Sequence, residues 1–336
     1  GLDGSLVAKA LGGSSPEAHR FTALPNKSAA AGFASEHAAT GFVLGGTAWD
    51  FSNPRTVPRE SLDLLVIDEA GQFSLANTIA VSLVAPRLLL LGDPQQLPQV
   101  SQGTHPEPVD TSALGWVIGE HAVLPEALGF FLGESWRMHP AVAAPVSRLS
   151  YEGRLASHPS ASVRHLEGVA PGLHAVPVAH AGNAIASTEE AAEVVRIVRD
   201  VLGLPWTEVR AGLDGVGIAQ PPRPLEQRDI IVVTPYNAQL QCVRAALDAE
   251  GVGGVPVDKF QGQEAAVAIT SLAASSGADV PRGIEFLLMP NRLNVAISRA
   301  KYAAYLLYSP ALLDDLPRSP QGLAQLSGFA RLVEGG

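Results

Sequence analysis

The sequence predicts an α/β protein built on two parallel sheets. Three observations predict it: short apolar runs of strand length, amphipathic stretches between several of them, and acidic or hydroxyl residues where runs end. The runs are GFVLGGT (41–47), LDLLVID (62–68), RLLLLGD (87–93), RDIIVVTPY (228–236), AAVAITSLA (265–273) and AAYLLYS (303–309). Runs of this length without polar alternation fit strands buried on both faces. TEEAAEVVRIVRDVL (188–202) gathers Ala191, Val194, Val195, Val198 and Leu202 on one helical face. AQLQCVRAALDAE (238–250) does the same with Leu240, Val243 and Leu247. Strand, helix, strand in this order gives a parallel sheet covered by helices. GLAQLSGFARLV (322–333) reads as a further amphipathic helix. Three strands fall within 41–93 and three within 228–309, hence two sheets. The interval 100–185 is rich in Pro, Gly and His, and the domain junction is expected at about residue 130. Residues 1–40 have weak periodicity and receive no assignment.

The 336 residues are 46% apolar and 17% charged, enough for packed cores. No apolar run approaches the ~20 residues of a membrane span. GLDGSLVAKA at the start lacks the pattern of a secretory signal. The single cysteine, Cys242, excludes an internal disulfide and a Cys-based zinc site, and suits a reducing cytoplasm. A net charge of −10 opposes wholesale attraction to nucleic acid and leaves room for a local basic groove.

The stretch LLVIDEAGQ (64–72) ends a buried strand on two adjacent carboxylates. In open parallel sheets, ligands bind beyond the carboxyl ends of the strands. There Asp68 suits Mg²⁺, a hard ion that takes oxygen ligands and keeps much of its water. Glu69 suits the base that takes a proton from an attacking water. A bare Asp-Glu pair after an apolar run is more often a loop start or a helix N-cap than a catalytic pair.

VIDEAGQ is followed in order by GDPQQLPQV (92–100), ESWRMHP (134–140), VDKFQGQE (257–264) and NRLNVAISRAK (291–301). This series resembles motifs II to VI of the superfamily 1B helicases, over roughly residues 41–336. The segment SPALLDDLPRSPQGLAQLSGFARLVE is also similar to the tail of bacterial proteins that join a RecB-type nuclease to such a helicase. The resemblance implies two RecA-like domains, residues 1–130 with motifs Ic, II and III and residues 131–336 with motifs IV, V and VI. It implies ATP and Mg²⁺ as cofactors and 5′ to 3′ movement on single-stranded DNA, as in DNA repair, with RNA left open. By motif position, Asp68 would organise Mg²⁺, Glu69 would orient water, and Gln96 would sense the γ-phosphate beside Asp93. Arg137 and Arg299 would reach the phosphates, and Gly262 and Glu264 would lie near the ribose or γ-phosphate. Thr47, Thr234, Gln239, Asp258, Lys259 and Gln261 would contact the nucleic-acid strand. Trp49, Tyr236 and Phe260 are able to stack on bases, although a core position is expected for each. Taken singly, Gln96 also reads as a turn amide, Arg137 as a surface ion pair and Arg299 as a solvated helix charge.

A complete motor of this type needs G-x-x-x-x-G-K-[ST] to cradle phosphates. Only Lys27-Ser28 offers the last pair, and Phe21 and Asn26 occupy the glycine positions. Three explanations stay open. The chain is part of a longer nuclease–helicase, or half of a motor whose P-loop half is another polypeptide, or a binding module that lost its ATPase activity. The first domain is therefore expected to be N-terminally incomplete, with an edge left for another segment or chain. The second is expected to fold as a complete unit, and the chain alone to hydrolyse ATP negligibly.

Overall fold

The computed structural model describes residues 3–10, 21–24, 29–97, 105–106, 108–109, 111–211, 216–258, 263–281 and 283–335. The chain divides into two compact units, Gly1–Pro94 with Pro98–Gly119, and Gln95–Leu97 with Glu120–Gly336. The division falls some ten residues before the expected junction, and three residues of GDPQQL belong to the second unit.

The first unit contains β1 (Val7–Ala10), β2 (Thr22–Leu24), α1 (Ala29–His37), β3 (Val43–Gly45), α2 (Ala48–Phe51), β4 (Leu65–Ile67), α3 (Leu75–Ser82), β5 (Leu88–Leu90) and α4 (Ala113–Ile118). Ser74 and Ser112 cap α3 and α4, each hydroxyl accepting a bond from a first-turn amide that has no helical partner. All strand pairings are parallel, but they form two sheets, β2-β1-β3 and β4-β5. The three expected strands thus do not share one sheet among the described residues. β3 pairs instead with β1, from the stretch whose periodicity is too weak to read. Leu65 and Ile67 of β4 are buried in a small core with Val57, Val81 and Leu114. Val66, Leu88 and Leu89 are exposed, although parallel sheets are ordinarily covered on both faces.

The second unit contains β6 (Glu134–Ser135), α5 (Pro140–Ser150), β7 (Ala156–Ser157), β8 (His165–Leu166), β9 (Gly172–Pro177), α6 (Thr188–Val201), β10 (Pro205–Thr207), β11 (Val209–Ala211) and β12 (Gly217–Ala219). It continues through β13 (Arg223–Pro224), β14 (Ile230–Val233), α7 (Asn237–Ala249), β15 (Val257–Asp258), β16 (Ala265–Ser271), α8 (Ile284–Leu287), α9 (Pro290–Ile297), β17 (Ala300–Tyr308) and α10 (Pro320–Glu334). Five strands form one parallel sheet in the order β15-β14-β16-β17-β9.

The apolar runs gain their sense here. Ile231 and Val233 turn toward a core built with α5, α9 and α10, while Ile230 and Val232 turn toward a second core built with α6 and α7. Alternate side chains enter opposite cores, so no position is free to be polar. Each such buried side chain contributes roughly 1.5–3 kcal/mol. Ser187 caps α6 by accepting from the Glu190 amide, and Glu189 and Glu190 in the first turn favour the positive end of the helix.

Strand β9 and helix α5 are among the elements that escape sequence patterning. Among the described residues, strand β9 lies at the edge of the sheet and pairs only with β17. Helix α5 continues through Pro145, which forfeits the bond to the Ala141 carbonyl and reads as a break. Val142 and Val146 are fully buried on its inner face, and that packing outweighs the lost bond. Among the described residues no helix is long and apolar enough to cross a membrane.

Candidate phosphate and nucleic-acid site

In the first unit, β4 ends where the carboxylates begin. Glu69 has a left-handed backbone, φ +54°, a conformation that costs a non-glycine residue about 1–2 kcal/mol. It persists because neighbouring hydrogen bonds determine the turn. Ala70 N–H donates to the Leu91 carbonyl at 2.8 Å and Gln72 N–H to the Glu69 carbonyl at 2.8 Å. Two glycines let this turn press against the one after β5. A Cβ on Gly71 would lie 2.4 Å from the Asp93 carbonyl oxygen, and one on Gly92 would lie 2.8 Å from the Ala70 nitrogen. Asp68 and Glu69 both stay exposed. The Asp68 carboxylate accepts the Glu69 amide at 3.0 Å and keeps its other oxygen. That donor set fits a single-carboxylate Mg²⁺ position completed by water and phosphate. No cluster of three or more metal-ligating side chains exists among the described residues. Thr47 is exposed at the start of α2, but its amide and hydroxyl both donate to Asp50, at 2.9 and 2.7 Å. It therefore offers oxygen lone pairs, and donation to a phosphate requires the hydroxyl to leave Asp50.

In the second unit, charge collects at the amino ends of β16 and β17. Glu264 directly precedes β16, and Arg299 directly precedes β17. Arg137 Nε donates to Glu264 Oε2 at 2.5 Å, and its Nη1 donates to the Ser298 carbonyl at 3.3 Å. Arg299 is 5% exposed. Its Nη1 donates to the Gln263 carbonyl at 2.8 Å, and among the described residues its Nε has no partner. Burial pulls its pKa down, the Asp258 carboxylate opposes that, and Arg137 adds to the lowering. Because a guanidinium keeps its proton, the outcome is a largely desolvated cation. Trp136 stacks on His158, centroids 3.4 Å apart and planes at 15°. Lys259, Gln261 and Gly262, with Phe260, lie outside the described residues.

The segment carrying Gln96 is held by α9. Asn291 Nδ2 donates to the Gln96 carbonyl at 2.7 Å, and Asn294 Nδ2 donates to the Gln95 carbonyl at 2.8 Å. Gln95 in turn donates to the Ala122 carbonyl at 3.0 Å. These two asparagines sit within NRLNVAISRAK, yet nothing in the string marks them, because their partners lie 195 and 199 residues away.

At the carboxyl ends of the strands, two expectations need correction. Thr234 and Gln239 are both 0% exposed, so neither offers a polar atom to a strand of nucleic acid. The Gln239 amide accepts from Ser187 N–H at 2.7 Å and donates to the Ser187 carbonyl and to Ser271 Oγ, at 3.1 and 2.8 Å. It stitches α6 to β16. Asp258, by contrast, is exposed at the end of β15. Of the aromatics, Tyr236 is half-buried against Phe286. Trp49 is 81% exposed, against the expectation of a core position.

Sequence reasoning also passed over Glu208 and Lys301. Glu208 accepts from Arg164 Nε at 3.0 Å and from Lys301 Nζ at 2.9 Å, and Lys301 Nζ lies 3.3 Å from Glu264 Oε1. Burial raises the Glu208 pKa, but the bonds from Lys301 and Arg164 outweigh it and hold the carboxyl below its ordinary 4.5. Glu264 is likewise lowered, Arg137 and Lys301 overcoming its burial. A depressed carboxylate contributes stability that is complete above its unfolded pKa and is lost as pH falls through the folded value. The stability gap between wild type and Glu208→Gln should therefore be greatest near neutrality and narrow below about pH 4.5. Urea midpoints at pH 7 and pH 4 measure it, and a gap independent of pH would refute the linkage.

A five-stranded parallel sheet with helices on both faces and charge on its strand ends defines the RecA-like class of α/β domain. Residues 120–310 match a family described as an AAA domain, and the chain belongs to that family, within the Upf1-like superfamily 1 helicases. It is 29% identical to DNA-binding protein SMUBP-2 of Rattus norvegicus over 259 residues, 74% of this chain and 25% of the rat protein. It is 26% identical to the DNA replication ATP-dependent helicase/nuclease JHS1 of Arabidopsis thaliana over 302 residues, 82% of this chain and 21% of that protein. Against the ATP-dependent helicase upf1 of Schizosaccharomyces pombe it is 27% identical over 282 residues, 77% and 28% respectively. The chain thus spans about a quarter of the length of these relatives.

Proposed function

We propose that the chain is the motor portion of an ATP-dependent nucleic-acid translocase that moves 5′ to 3′ on single-stranded DNA. The P-loop comes from a further region, in cis or in trans. The observation that carries this reading is the meeting of Arg137, Glu264 and the Ser298-Arg299 step, from motifs separated by 127 and 161 residues. A binding module has no need of two guanidinium groups held at one rim. The relatives named as ATP-dependent helicases and as a DNA-binding protein support it, and so does the exposed apolar face of β4 and β5, which suits a covering segment.

In this reading, Asp68 would hold Mg²⁺, which when bound neutralises phosphate charge. Glu69 orients the attacking water and accepts its proton. Arg137 and Arg299 bind phosphate oxygens with their planar forks. Exposed Asp258 and Thr47 contact the nucleic-acid strand without reading its sequence.

Phosphate release should be negligible for the chain alone. It should appear, stimulated by single-stranded DNA, once a P-loop-bearing region is supplied, and Glu69→Gln should abolish it. Turnover by Glu69→Gln equal to wild type would overturn the proposal.

A further inference from the structure

Arg137 ends a ladder of alternating charge that begins at Arg164. Arg164, 7% exposed, donates to Glu208 and also holds the Trp136 carbonyl at 3.1 Å and the Val209 carbonyl at 3.4 Å. Glu208 joins Lys301, Lys301 joins Glu264, and Glu264 joins Arg137. Glu208 reaches this line because the small antiparallel elements β8-β10-β13 and β11-β12 fold beside it. The Val209 amide further fixes its carboxylate at 2.9 Å. Lys301 is tied at both ends, since its carbonyl accepts the His139 amide at 2.8 Å. It therefore grips both the segment that carries Arg137 and the carboxylate that faces Arg137.

The division of Glu264 is what gives this ladder a purpose. One carboxylate oxygen faces Lys301 and the other faces Arg137 Nε. A free carboxylate beside an arginine takes two parallel N–H bonds, the stronger arrangement. That arrangement would occupy the N–H edge a phosphate needs. We propose that Lys301, itself held by Glu208, is a positioning residue that keeps Glu264 to a single bond on Arg137 and so leaves the rest of the guanidinium to a triphosphate. This rests on the phosphate-binding reading of Arg137 given above. The lowered pKa of Glu264 accords with it, because the carboxylate is charged and divided at neutral pH.

The test is calorimetric titration of the purified chain with sodium tripolyphosphate, with thermal melting to confirm that each variant folds. Lys301→Met should weaken binding about tenfold, the scale of one charge-assisted hydrogen bond. Lys301→Arg should restore it. Adding Glu264→Gln to Lys301→Met should recover most of the loss, since a neutral amide no longer captures Arg137, and a merely structural lysine would show no such recovery. Wild-type affinity in Lys301→Met, alongside lost affinity in Arg137→Ala, overturns the positioning role alone. Absence of tripolyphosphate binding by wild type, or Arg137→Ala binding as well as wild type, overturns the phosphate reading and this proposal together.

Discussion

Replacing Arg299 with alanine is expected to lower DNA-stimulated ATP turnover about 10³–10⁵-fold, the range known for arginines that stabilise a transferring phosphoryl group. Binding of single-stranded DNA should persist. The expectation follows from the environment of the side chain. It is nearly buried and bonded through Nη1 to the Gln263 carbonyl, and among the described residues its Nε has no partner. A desolvated cation interacts with developing phosphate charge more strongly than a hydrated one. Lysine should not rescue, because a point charge cannot reproduce the fixed fork that holds the carbonyl and a phosphate oxygen at once. The measurement is steady-state phosphate release by the chain supplied with its P-loop region, with and without DNA. A loss of less than tenfold would count against a transition-state role.

Glu190→Ala is expected to destabilise the second unit by about 3–5 kcal/mol, because several buried donors lose their acceptor at roughly 1–3 kcal/mol each. Glu190 is fully buried at the start of α6. Its carboxylate accepts from Ser271 Oγ at 2.6 Å, from the Ala273 amide at 2.9 Å and from His180 Nε2 at 3.1 Å. His180 also reaches Ser275 at 2.7 Å. Alanine would leave those donors without an acceptor, and an unmatched buried polar group is more expensive than a missing bond. Ala273 makes the site sensitive, because its left-handed backbone, φ +66°, depends on its amide being held. Urea unfolding compares the variants, and a loss below about 1 kcal/mol would show that water replaces the carboxylate.

Much of the second sheet was legible. The runs at 228–236 and 265–273 contain β14 and β16, the helical face at 188–202 contains α6, and the stretches at 303–309, 238–250 and 322–333 overlap β17, α7 and α10, which begin one to three residues earlier. An edge strand, β9, and a helix with an internal proline, α5, were not legible. Nor was the partnership of β3, whose true neighbour β1 lies in a stretch of small residues. Of the site, Arg137, Glu264 and Arg299 were legible as a group because they lie in ordered motifs. Glu208 was not, since no string around it marks a partner 93 residues away.

By itself, the sequence determined that the second unit has strands buried on both faces and helices between them. Periodicity and motif spacing are local, and a run of apolar residues means much the same in any surroundings. Only the tertiary structure decided that Arg299 and Glu264 stand at the amino ends of their strands and that Gln239 faces inward to Ser187, 52 residues away. It alone decided that Lys301 divides a carboxylate. The solvation and bonding of a polar side chain depend on groups brought near by folding, and these follow from the packing of the whole unit rather than from neighbours along the chain.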